Sequence, residues 1–291
     1  MTRLLLGLPA PAKLNLFLRV LGRRPDGFHE LQTAFVAIDL TDTLDFELLE
    51  DVRIERHGDL TCPVEQDLAV RAARLLQQES QGGLGARIDL QKRIPTGGGL
   101  GGGSSDAATT LMALNRLWRL NWTRERLAAL ALRLGADVPF FLQPGPSLGE
   151  GIGERLSPLA VPQRWYALIH PQVHVSTAEI FKSAELTAHL ELAKIKSFPE
   201  GGLKLAGSGE QGSAAARGND LEPIVRSRVP EVDAALRYLA GFGEARMTGS
   251  GASVFAAFET EGQARQALAG LSAGWSSWVV PGLDEHPLAS W

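Results

Sequence analysis

The sequence predicts an α+β fold in two domains, and three features lead to this prediction. The chain has 291 residues, 44% of them hydrophobic, and so reaches the size at which single hydrophobic cores stop growing. Apolar and polar residues alternate in much of the first third, as in half-buried strands. Farther along, apolar residues recur every three or four positions, as in helices. We expect domains at residues 1–158 and 159–291, with the boundary near the glycine- and proline-rich stretch Pro144 to Pro158.

Strands are predicted mainly in the first third of the chain. From Lys13 to Val20 the even positions are apolar, and Lys13 and Asn15 share the opposite, polar face. The same reasoning predicts further strands. These are Ala34 to Ile38, Leu44 to Leu48, Ile88 to Leu90, Trp165 to Ile169 and Ser253 to Phe258.

Helical spacing predicts five amphipathic helices. They cover Asp67 to Gln78, the residues after Gly103, Thr123 to Gly135, Glu231 to Ala240 and Glu261 to Leu271. In the second helix we expect Ser104 to be the N-cap and Asp106 to lie in the first turn, where its charge suits the helix dipole. Gly135 can take a left-handed conformation at the end of the third helix. Phe198 to Gly218, rich in Gly, Ser and Ala, is predicted to be a mobile loop.

Composition narrows the class of ligand. With 29 basic and 33 acidic residues, the chain offers no positive field for a nucleic acid, so a small molecule is the better partner. Cys62 is the single cysteine, which excludes an internal disulfide or a cysteine-rich zinc site. The apolar run Leu4 to Leu8 is too short for a membrane span. We therefore expect a cytoplasmic protein without a membrane partner, and the sequence leaves its oligomeric state open.

A glycine-rich segment between a predicted strand and a predicted helix is the strongest functional signal. It consists of Pro95, Thr96, Gly97, Gly98, Gly99, Leu100, Gly101, Gly102, Gly103, Ser104 and Ser105. Glycines permit positive φ angles and let a bulky anion approach backbone N–H groups. The following helix adds unpaired N–H donors and the positive end of its dipole. A flexible linker is the alternative, but the position between strand and capped helix favours phosphate binding.

Two familiar phosphate-binding motifs nearly match this segment. Gly97, Gly99 and Gly102 satisfy G-x-G-x-x-G, but the dinucleotide-binding unit also needs a parallel strand after the helix and an acidic residue about twenty positions on. A second helix follows here instead. The Walker motif needs a lysine where Gly103 and Ser104 stand. A catalytic cation must therefore come from elsewhere in the chain.

Several polar residues could supply the chemistry, and each has an ordinary structural interpretation as well. Lys13 could provide a fixed positive charge or be a solvated strand lysine. Asp137, within an apolar segment after a helix, could be a base or could bond its own turn. The turn Met247 to Ser253 could close a cleft on the same phosphates or be a tight bend without a ligand. His29 could recognise a polar ring edge or lie on the surface.

Taken together, the motifs resemble those of the GHMP kinase superfamily. The resemblance spans nearly the whole chain. It is carried by Pro9 to Leu16, Gly22 to Thr33, Pro95 to Asp106, Gly135 to Phe140 and Thr248 to Ser253. The Ala-Lys-Leu-Asn-Leu opening and the Arg-x-Asp-Gly-aromatic-His block are the more specific parts. They point to the branch that phosphorylates the 2-hydroxyl of a cytidine diphosphate-linked methylerythritol.

The resemblance implies an N-terminal domain like the second domain of ribosomal protein S5 and a ferredoxin-like C-terminal domain. It implies ATP, with Mg²⁺, bound through its phosphates on Pro95 to Ser105. Asp137 would be the general base for the substrate hydroxyl, and Lys13 would steady that carboxylate and the developing negative charge. The cytidine diphosphate substrate would be held by Asn15, Phe28, His29, Thr177 and Phe181. No metal-ligating residue is implied.

Two departures from the superfamily pattern concern binding rather than acid-base chemistry. Phe28 stands where tyrosine is usual, so stacking is kept while a hydroxyl contact is lost. Gln66 and Asp67 stand where Asp-Asn is common, which affects an adenine-side contact. The alternatives are a mevalonate, homoserine or sugar kinase of the same superfamily and, from another class, a non-catalytic S5-like RNA-binding module.

Overall fold

The computed structural model describes residues 3–183, 218–271 and 274–291. Within these residues the chain forms ten strands. They are β1 Leu4–Arg23, β2 His29–Leu49, β3 Ile54–Gly58, β4 Gly85–Gln91, β5 Ser147–Gly151, β6 Arg155–Pro158, β7 Trp165–His170, β8 Ala245–Met247, β9 Val254–Phe258 and β10 Ser276–Leu283.

The described residues also form seven α-helices and two 3₁₀ helices. The α-helices are α1 Leu68–Ser80, α2 Gly102–Leu117, α3 Arg124–Leu132, α4 Thr177–Phe181, α5 Glu222–Arg228, α6 Pro230–Ala240 and α7 Glu261–Leu268. The 3₁₀ helices are Val64–Gln66 and Val138–Leu142.

One mixed sheet runs through both halves of the chain. Its hydrogen-bonded order is β3-β4-β2-β10-β7-β9-β8, with β1 and β5 also paired to β2 and β6 paired to β5. The last strand joins the halves, because Gly282 and Leu283 pair with β2 whereas Ser276 to Pro281 pair with β7. The α+β prediction is confirmed.

Hydrophobic cores form on both sides of this junction. In the N-terminal half, α1, α2 and α3 bury apolar faces against the sheet, with Leu76, Leu111 and Leu130 among the buried residues. In the C-terminal half, α5, α6 and α7 cover β7 and β9. Leu288, near the end of the chain, packs back into the N-terminal core. The boundary at 158–159 stays a prediction, and residues after β10 contact the first half.

Most predicted elements are present, with two differences among the strands. The segments predicted as separate strands between residues 34 and 48 are one long strand, β2, because they continue the pairing with β1. The segment from Lys13 is buried on both faces instead of half-buried. Lys13 and Asn15 are only 2% and 3% exposed, since the glycine-rich segment and a turn of the C-terminal half cover their face. Residues 198–217 of the predicted loop lie outside the described residues.

Three details of the predicted helix ends are wrong. The N-cap of α2 is Gly101 in the left-handed conformation, with φ of 72°, so the helix begins at Gly102 and Ser104 lies inside it. Asp106 consequently falls beyond the first turn, and its carboxylate pairs with Lys92. Gly135 does not adopt a positive φ angle, because the chain leaves α3 through Arg133 in the right-handed conformation.

Among the described residues, none of the helices is both long and apolar enough to cross a membrane.

Replacing Leu111 with alanine should lower the free energy of unfolding by about 2–5 kcal/mol, because the side chain is fully buried and its removal leaves a cavity. Leu132→Ala is the matched control: this helical leucine is 40% exposed, and its loss should cost about 0.5 kcal/mol. Urea unfolding followed by tryptophan fluorescence measures both. Equal effects would contradict this description of the core.

Candidate active site

A cavity of about 570 Å³ lies where the two halves of the chain meet. This size is typical of small-molecule sites. Its walls come from β1, from the glycine-rich segment Pro95 to Gly103, which we call the glycine loop, from the residues before Val138 and from α4. A turn of the C-terminal half, Thr248 to Ser253, closes one side with Gly249 and Ser250; we call it the Thr248 turn.

The glycine loop takes a backbone path that other residues rarely adopt. Gly97, Gly99 and Gly101 have φ angles of 72°, 74° and 72°. Alternating left-handed residues turn the loop tightly into α2, which begins at Gly102. The free N–H groups of the first helical turn therefore sit at the cavity, together with the positive end of the helix dipole. This geometry suits a phosphate group.

Side chains at the loop positions would collide with neighbouring elements. A Cβ atom on Gly99 would clash with the carbonyl oxygen of Thr248, and one on Gly97 would clash with the ring of His174. At Gly101 it would lie 3.0 Å from the Lys13 stem. The absence of side chains thus permits close packing of the loop as well as access for an anion.

The Thr248 turn is fastened to the glycine loop through the backbone. The N–H of Ser253 donates to the carbonyl of Gly98 at 3.1 Å, and within the turn the N–H of Gly251 donates to Thr248 at 3.0 Å. Asn219 supports the turn from behind, since its amide Nδ2 donates to the carbonyls of Met247 and Gly249. Because Gly249 and Ser250 line the cavity, both halves of the chain contribute to it.

Lys13 lies buried beneath the glycine loop. Its backbone N–H donates to the carbonyl of Leu100 at 2.9 Å, which fixes the strand against the loop. Its ammonium Nζ is 3.4 Å from Oδ2 of Asp137 and 2.5 Å from Oδ1 of Asn15. The ring of Phe35 lies 5.6 Å from the same nitrogen. The interpretation as a solvated lysine is therefore wrong for the described structure.

Asp137 presents its carboxylate to the cavity. It occupies the N-cap position of the 3₁₀ helix Val138–Leu142, yet its side chain makes no capping hydrogen bond. The interpretation as an aspartate that bonds its own turn is therefore not supported. The side chain is 37% exposed, so it is less buried than its apolar surroundings in sequence suggest. Paired with Lys13 and open to the cavity, this carboxylate can accept a proton.

Asn15 is held in a single orientation by a chain of hydrogen bonds. Its amide Nδ2 donates to the hydroxyl of Thr33 at 2.8 Å, and that hydroxyl donates to the carbonyl of Phe17. Its backbone N–H donates to the hydroxyl of Thr248 at 3.0 Å. The amide oxygen therefore points to Lys13 and accepts a hydrogen bond from its ammonium group. Asn15 and Thr248, which are 233 positions apart in sequence, thus fix the direction of the Lys13 side chain.

Helix α4 forms the opposite wall. Thr177 and Phe181 line the cavity, and the hydroxyl of Thr177 lies 2.6 Å from that of Ser250. The ring of His29 packs on Phe181 with centroids 5.4 Å apart. Burial, with a smaller contribution from Arg23, lowers the pKa of His29, so the ring is neutral over a wider pH range. Phe28 is 59% exposed and extends into solvent.

The structure brings most of the predicted site residues together at one cavity. Pro95 to Ser104 line it, as do Lys13, Asn15, Asp137, Thr177 and Phe181. Ser105 lies behind the wall, fully buried, and its hydroxyl has no hydrogen-bond partner within the described residues. No group of three or more His, Cys, Asp or Glu in the described part of the chain could hold a metal ion.

Sequence reasoning missed two contributors to the site. Lys92 also lines the cavity, and its ammonium pairs with Asp42 at 2.5 Å and with Asp106 at 2.8 Å. Its position three residues before the glycine loop was the available signal. Asn219, which supports the Thr248 turn, lies two positions after a stretch outside the described part and belongs to no motif.

Comparison with known proteins identifies the family to which this chain is related. The profile of the GHMP kinases N terminal domain matches residues 67–145, and that of the GHMP kinases C terminal matches residues 194–277. A Thiobacillus denitrificans protein named 4-diphosphocytidyl-2-C-methyl-D-erythritol kinase is 54% identical over 96% of this chain and 96% of its own. One from Nitrosospira multiformis, with the same name, is 54% identical over 97% and 93%.

Comparison with solved structures indicates the same family as the sequence relatives. A crystal structure of 4-(cytidine 5'-diphospho)-2C-methyl-D-erythritol kinase superposes with a TM-score of 0.76 at 36% identity, covering 94% of this chain and 98% of that one. Homoserine kinase from Cytophaga hutchinsonii gives 0.71 at 17% identity over 98% and 96%, a likeness of fold alone.

The fold and the site define a GHMP kinase. Within that superfamily the chain belongs to the family of 4-diphosphocytidyl-2-C-methyl-D-erythritol kinases, because relatives of this name match it at 54% identity over nearly the full length.

Gly99→Ala should lower the free energy of unfolding by at least about 2 kcal/mol, because the left-handed backbone and the clash with Thr248 both penalise a Cβ atom. Gly262→Ala is the control: Gly262 is exposed in α7, has open space around it and should gain up to about 1 kcal/mol. Thermal and urea unfolding measure both. An unchanged stability of Gly99→Ala would contradict the described contact between the halves.

Proposed function

We propose that this chain transfers the γ-phosphoryl group of ATP to the 2-hydroxyl of 4-diphosphocytidyl-2-C-methyl-D-erythritol, a step in the non-mevalonate pathway to isoprenoid precursors. The observation that carries the proposal is the pairing of Lys13 with Asp137 at 3.4 Å, on a cavity lined by the glycine loop. The two residues come from distant parts of the sequence and meet where an acceptor hydroxyl and a phosphate could both be placed. We infer a cytoplasmic location, where this metabolite would be made.

ATP would be held by its phosphates on Pro95 to Ser105. The loop fits such a group, because the left-handed Gly97, Gly99 and Gly101 turn the backbone tightly into α2, whose first N–H groups lie at the cavity. Gly249 and Ser250 lie across from the loop and could add backbone donors from the second half. We also infer Mg²⁺, which would take most of its ligands from phosphate and water.

The protein's own residues would handle the proton and the charge. Asp137 would accept the proton of the 2-hydroxyl as its oxygen bonds to the γ-phosphorus, while the bond from that phosphorus to the bridging oxygen breaks and ADP leaves. Lys13 would hold the carboxylate in place and stabilise negative charge on the reacting oxygens. Its fixed direction, set by Asn15, means that little reorganisation is needed at the moment of transfer.

The cytidine diphosphate part of the substrate would lie toward α4. Phe181 and Phe28 offer aromatic faces for the cytosine ring, and His29, packed on Phe181, offers a neutral imidazole to its polar edge. Asn15 and Thr177 place an amide and a hydroxyl along the same side of the cavity. Stacking by Phe28 would require its exposed ring to fold over the base.

The alternatives receive less support. Likeness to homoserine and mevalonate kinases is confined to the fold, at 17% and 13% identity. A non-catalytic RNA-binding module would need an extended basic surface, but acidic residues outnumber basic ones, 33 to 29.

Purified protein with MgATP and the proposed substrate should form the 2-phosphate, and free cytidine diphosphate should compete with that substrate, since its binding would use the same aromatic side chains. Phosphorus NMR identifies the product, and mevalonate, homoserine and galactose serve as control acceptors. Phosphorylation of a control acceptor without competition by cytidine diphosphate would favour another GHMP-type kinase.

Asp137→Asn should lower kcat by at least about a hundredfold and leave the Kd for ATP near normal, because the proton acceptor is lost while the glycine loop is intact. Steady-state kinetics and equilibrium nucleotide binding measure the two effects. Asp39→Asn, which changes an exposed carboxylate on β2 away from the cavity, is the matched control and should behave as wild type.

Lys13→Met tests whether the pair acts as a unit. If Lys13 works through Asp137 and the same transferring oxygen, the double variant should be hardly slower than the slower single variant. Fully multiplicative losses would mean that Lys13 and Asp137 act independently, and a wild-type kcat in Asp137→Asn would mean that the carboxylate does not take the proton.

A further inference from the structure

A second charged cluster lies against the glycine loop, and the proposed transfer step does not use it. It consists of Asp42 on β2, Lys92 just after β4 and Asp106 on α2, and we call it the Asp42–Lys92–Asp106 cluster. The ammonium of Lys92 lies 2.5 Å from Oδ2 of Asp42 and 2.8 Å from Oδ2 of Asp106. All three side chains are buried or nearly so. With both carboxylates ionised, the cluster has a net charge of −1.

The cluster is close to the place where phosphates would bind. The Lys92 ammonium is 3.3 Å from the position that a Cβ atom on Gly102 would take, and Gly102 is the first residue of α2. Lys92 and Asp106 line the same cavity as the glycine loop. A bound polyphosphate would therefore bring several negative charges toward a buried group that already carries excess negative charge.

The two carboxylates are not equally satisfied. Oδ1 of Asp42 accepts from the backbone N–H groups of Arg93 and Ile94, at 2.6 and 2.9 Å, in addition to the Lys92 contact through Oδ2. Among the described residues the Asp106 carboxylate bonds only to Lys92, through Oδ2, and its buried Oδ1 has no hydrogen-bond partner. Asp106 is therefore the member of the cluster that would protonate first.

Neighbouring charges act in the same direction. Burial, together with the nearby carboxylates of Asp42 and Asp67, raises the pKa of Asp106 to about 7 against the opposing effect of Lys92. Asp67, at the N-cap of α1, is itself paired with Arg56 of β3 at 2.8 Å. On the other side of the loop, the ammonium of Lys13 is paired with Asp137.

We propose that Asp106 takes up a proton when the phosphates of a nucleotide bind on the glycine loop. This inference rests on the proposed function, since it requires nucleotide binding at that loop. Approaching negative charge favours the neutral form of a nearby carboxyl group. The proton makes the cluster neutral and turns the unpartnered oxygen into a donor, which suits an adjacent anion. Asp106 is a positioning residue for the nucleotide in this account, with no part in phosphoryl transfer.

The sign of the pH dependence follows from linkage. The free protein holds the proton below about pH 7, and the nucleotide complex holds it to a higher pH. Nucleotide binding below about pH 7 therefore takes up no proton, because Asp106 already holds it. Nucleotide binding above about pH 7 takes up one proton. Nucleotide affinity should fall as pH rises above 7, by up to about tenfold per pH unit, until the complex also loses the proton.

Titration calorimetry of ATP binding, in two buffers with different ionisation enthalpies, measures the proton directly. At about pH 8 the terminal phosphate, with a second pKa of about 6, is already ionised and contributes no uptake of its own. The wild-type protein should take up close to one proton per ATP, and adenosine, which lacks phosphates, should cause no uptake. ATP is not consumed because the acceptor is omitted.

Asp106→Asn mimics the protonated residue at nearly the same size. It should abolish proton uptake and bind ATP at about pH 8 at least as tightly as wild type, with an affinity that no longer depends on pH. A merely structural role would instead weaken binding at every pH. Glu231→Gln, an exposed carboxylate of α6, is the matched control and should keep the wild-type proton uptake. If Asp106→Asn does not fold, the wild-type profile, with close to one proton taken up at about pH 8 and about half as much at pH 7, still tests the proposal.

Three results would overturn the inference alone: ATP binding without proton uptake, uptake that persists in Asp106→Asn, or proton release on ATP binding. Failure of ATP to bind at any pH would overturn the proposed function together with this inference.

Discussion

The close backbone approach between the glycine loop and the Thr248 turn is the contact on which the site depends. The carbonyl of Thr248 occupies the space that a side chain on Gly99 would need, and Ser253 donates to the carbonyl of Gly98. The contact with Thr248 leaves no room for a side chain on Gly99. The loop therefore carries no side chain there, either where it packs on the turn or where it faces the cavity. The same glycines thus join the two halves and leave N–H groups free for an anion.

Burial of Lys13 follows from this contact. The loop covers the strand from one side through the carbonyl of Leu100, and the Thr248 turn covers Asn15 from the other. A buried ammonium needs partners, and the available ones are the Asn15 amide and the Asp137 carboxylate. The pairing to which we assign the proton transfer is therefore also the one that permits an ammonium group to lie beneath the loop.

Much of the site could be predicted from local sequence, and the remainder depends on long-range packing. The glycine loop and the alternation around Lys13 are local signals, and both appear in the structure. The N-cap of α2 was misplaced to Ser104 because hydroxyl residues are the usual caps, whereas a left-handed Gly101 starts this helix. Lys92 was missed because its importance comes from Asp42 and Asp106, 50 and 14 positions away. No local pattern encodes such distances.

The residues that the resemblance assigns to substrate binding differ in how close they lie to the cavity. Thr177 and Phe181 lie at the cavity, and His29 reaches it through Phe181, but Phe28 is exposed. An aromatic ring of this kind shows its role only with a ligand present, because stacking requires the second ring. The side of the cavity that we propose for the nucleotide is formed by the backbone, whereas the side that we propose for cytidine depends on side chains.

A crystal structure with a non-hydrolysable ATP analogue and the acceptor substrate tests the central claim most directly. The account predicts the triphosphate on the backbone N–H groups of Gly97 to Gly103, with the 2-hydroxyl within about 2.6–3.2 Å of the Asp137 carboxylate and the Lys13 ammonium beside it. A triphosphate bound away from the glycine loop, or an acceptor hydroxyl out of reach of Asp137, would contradict it.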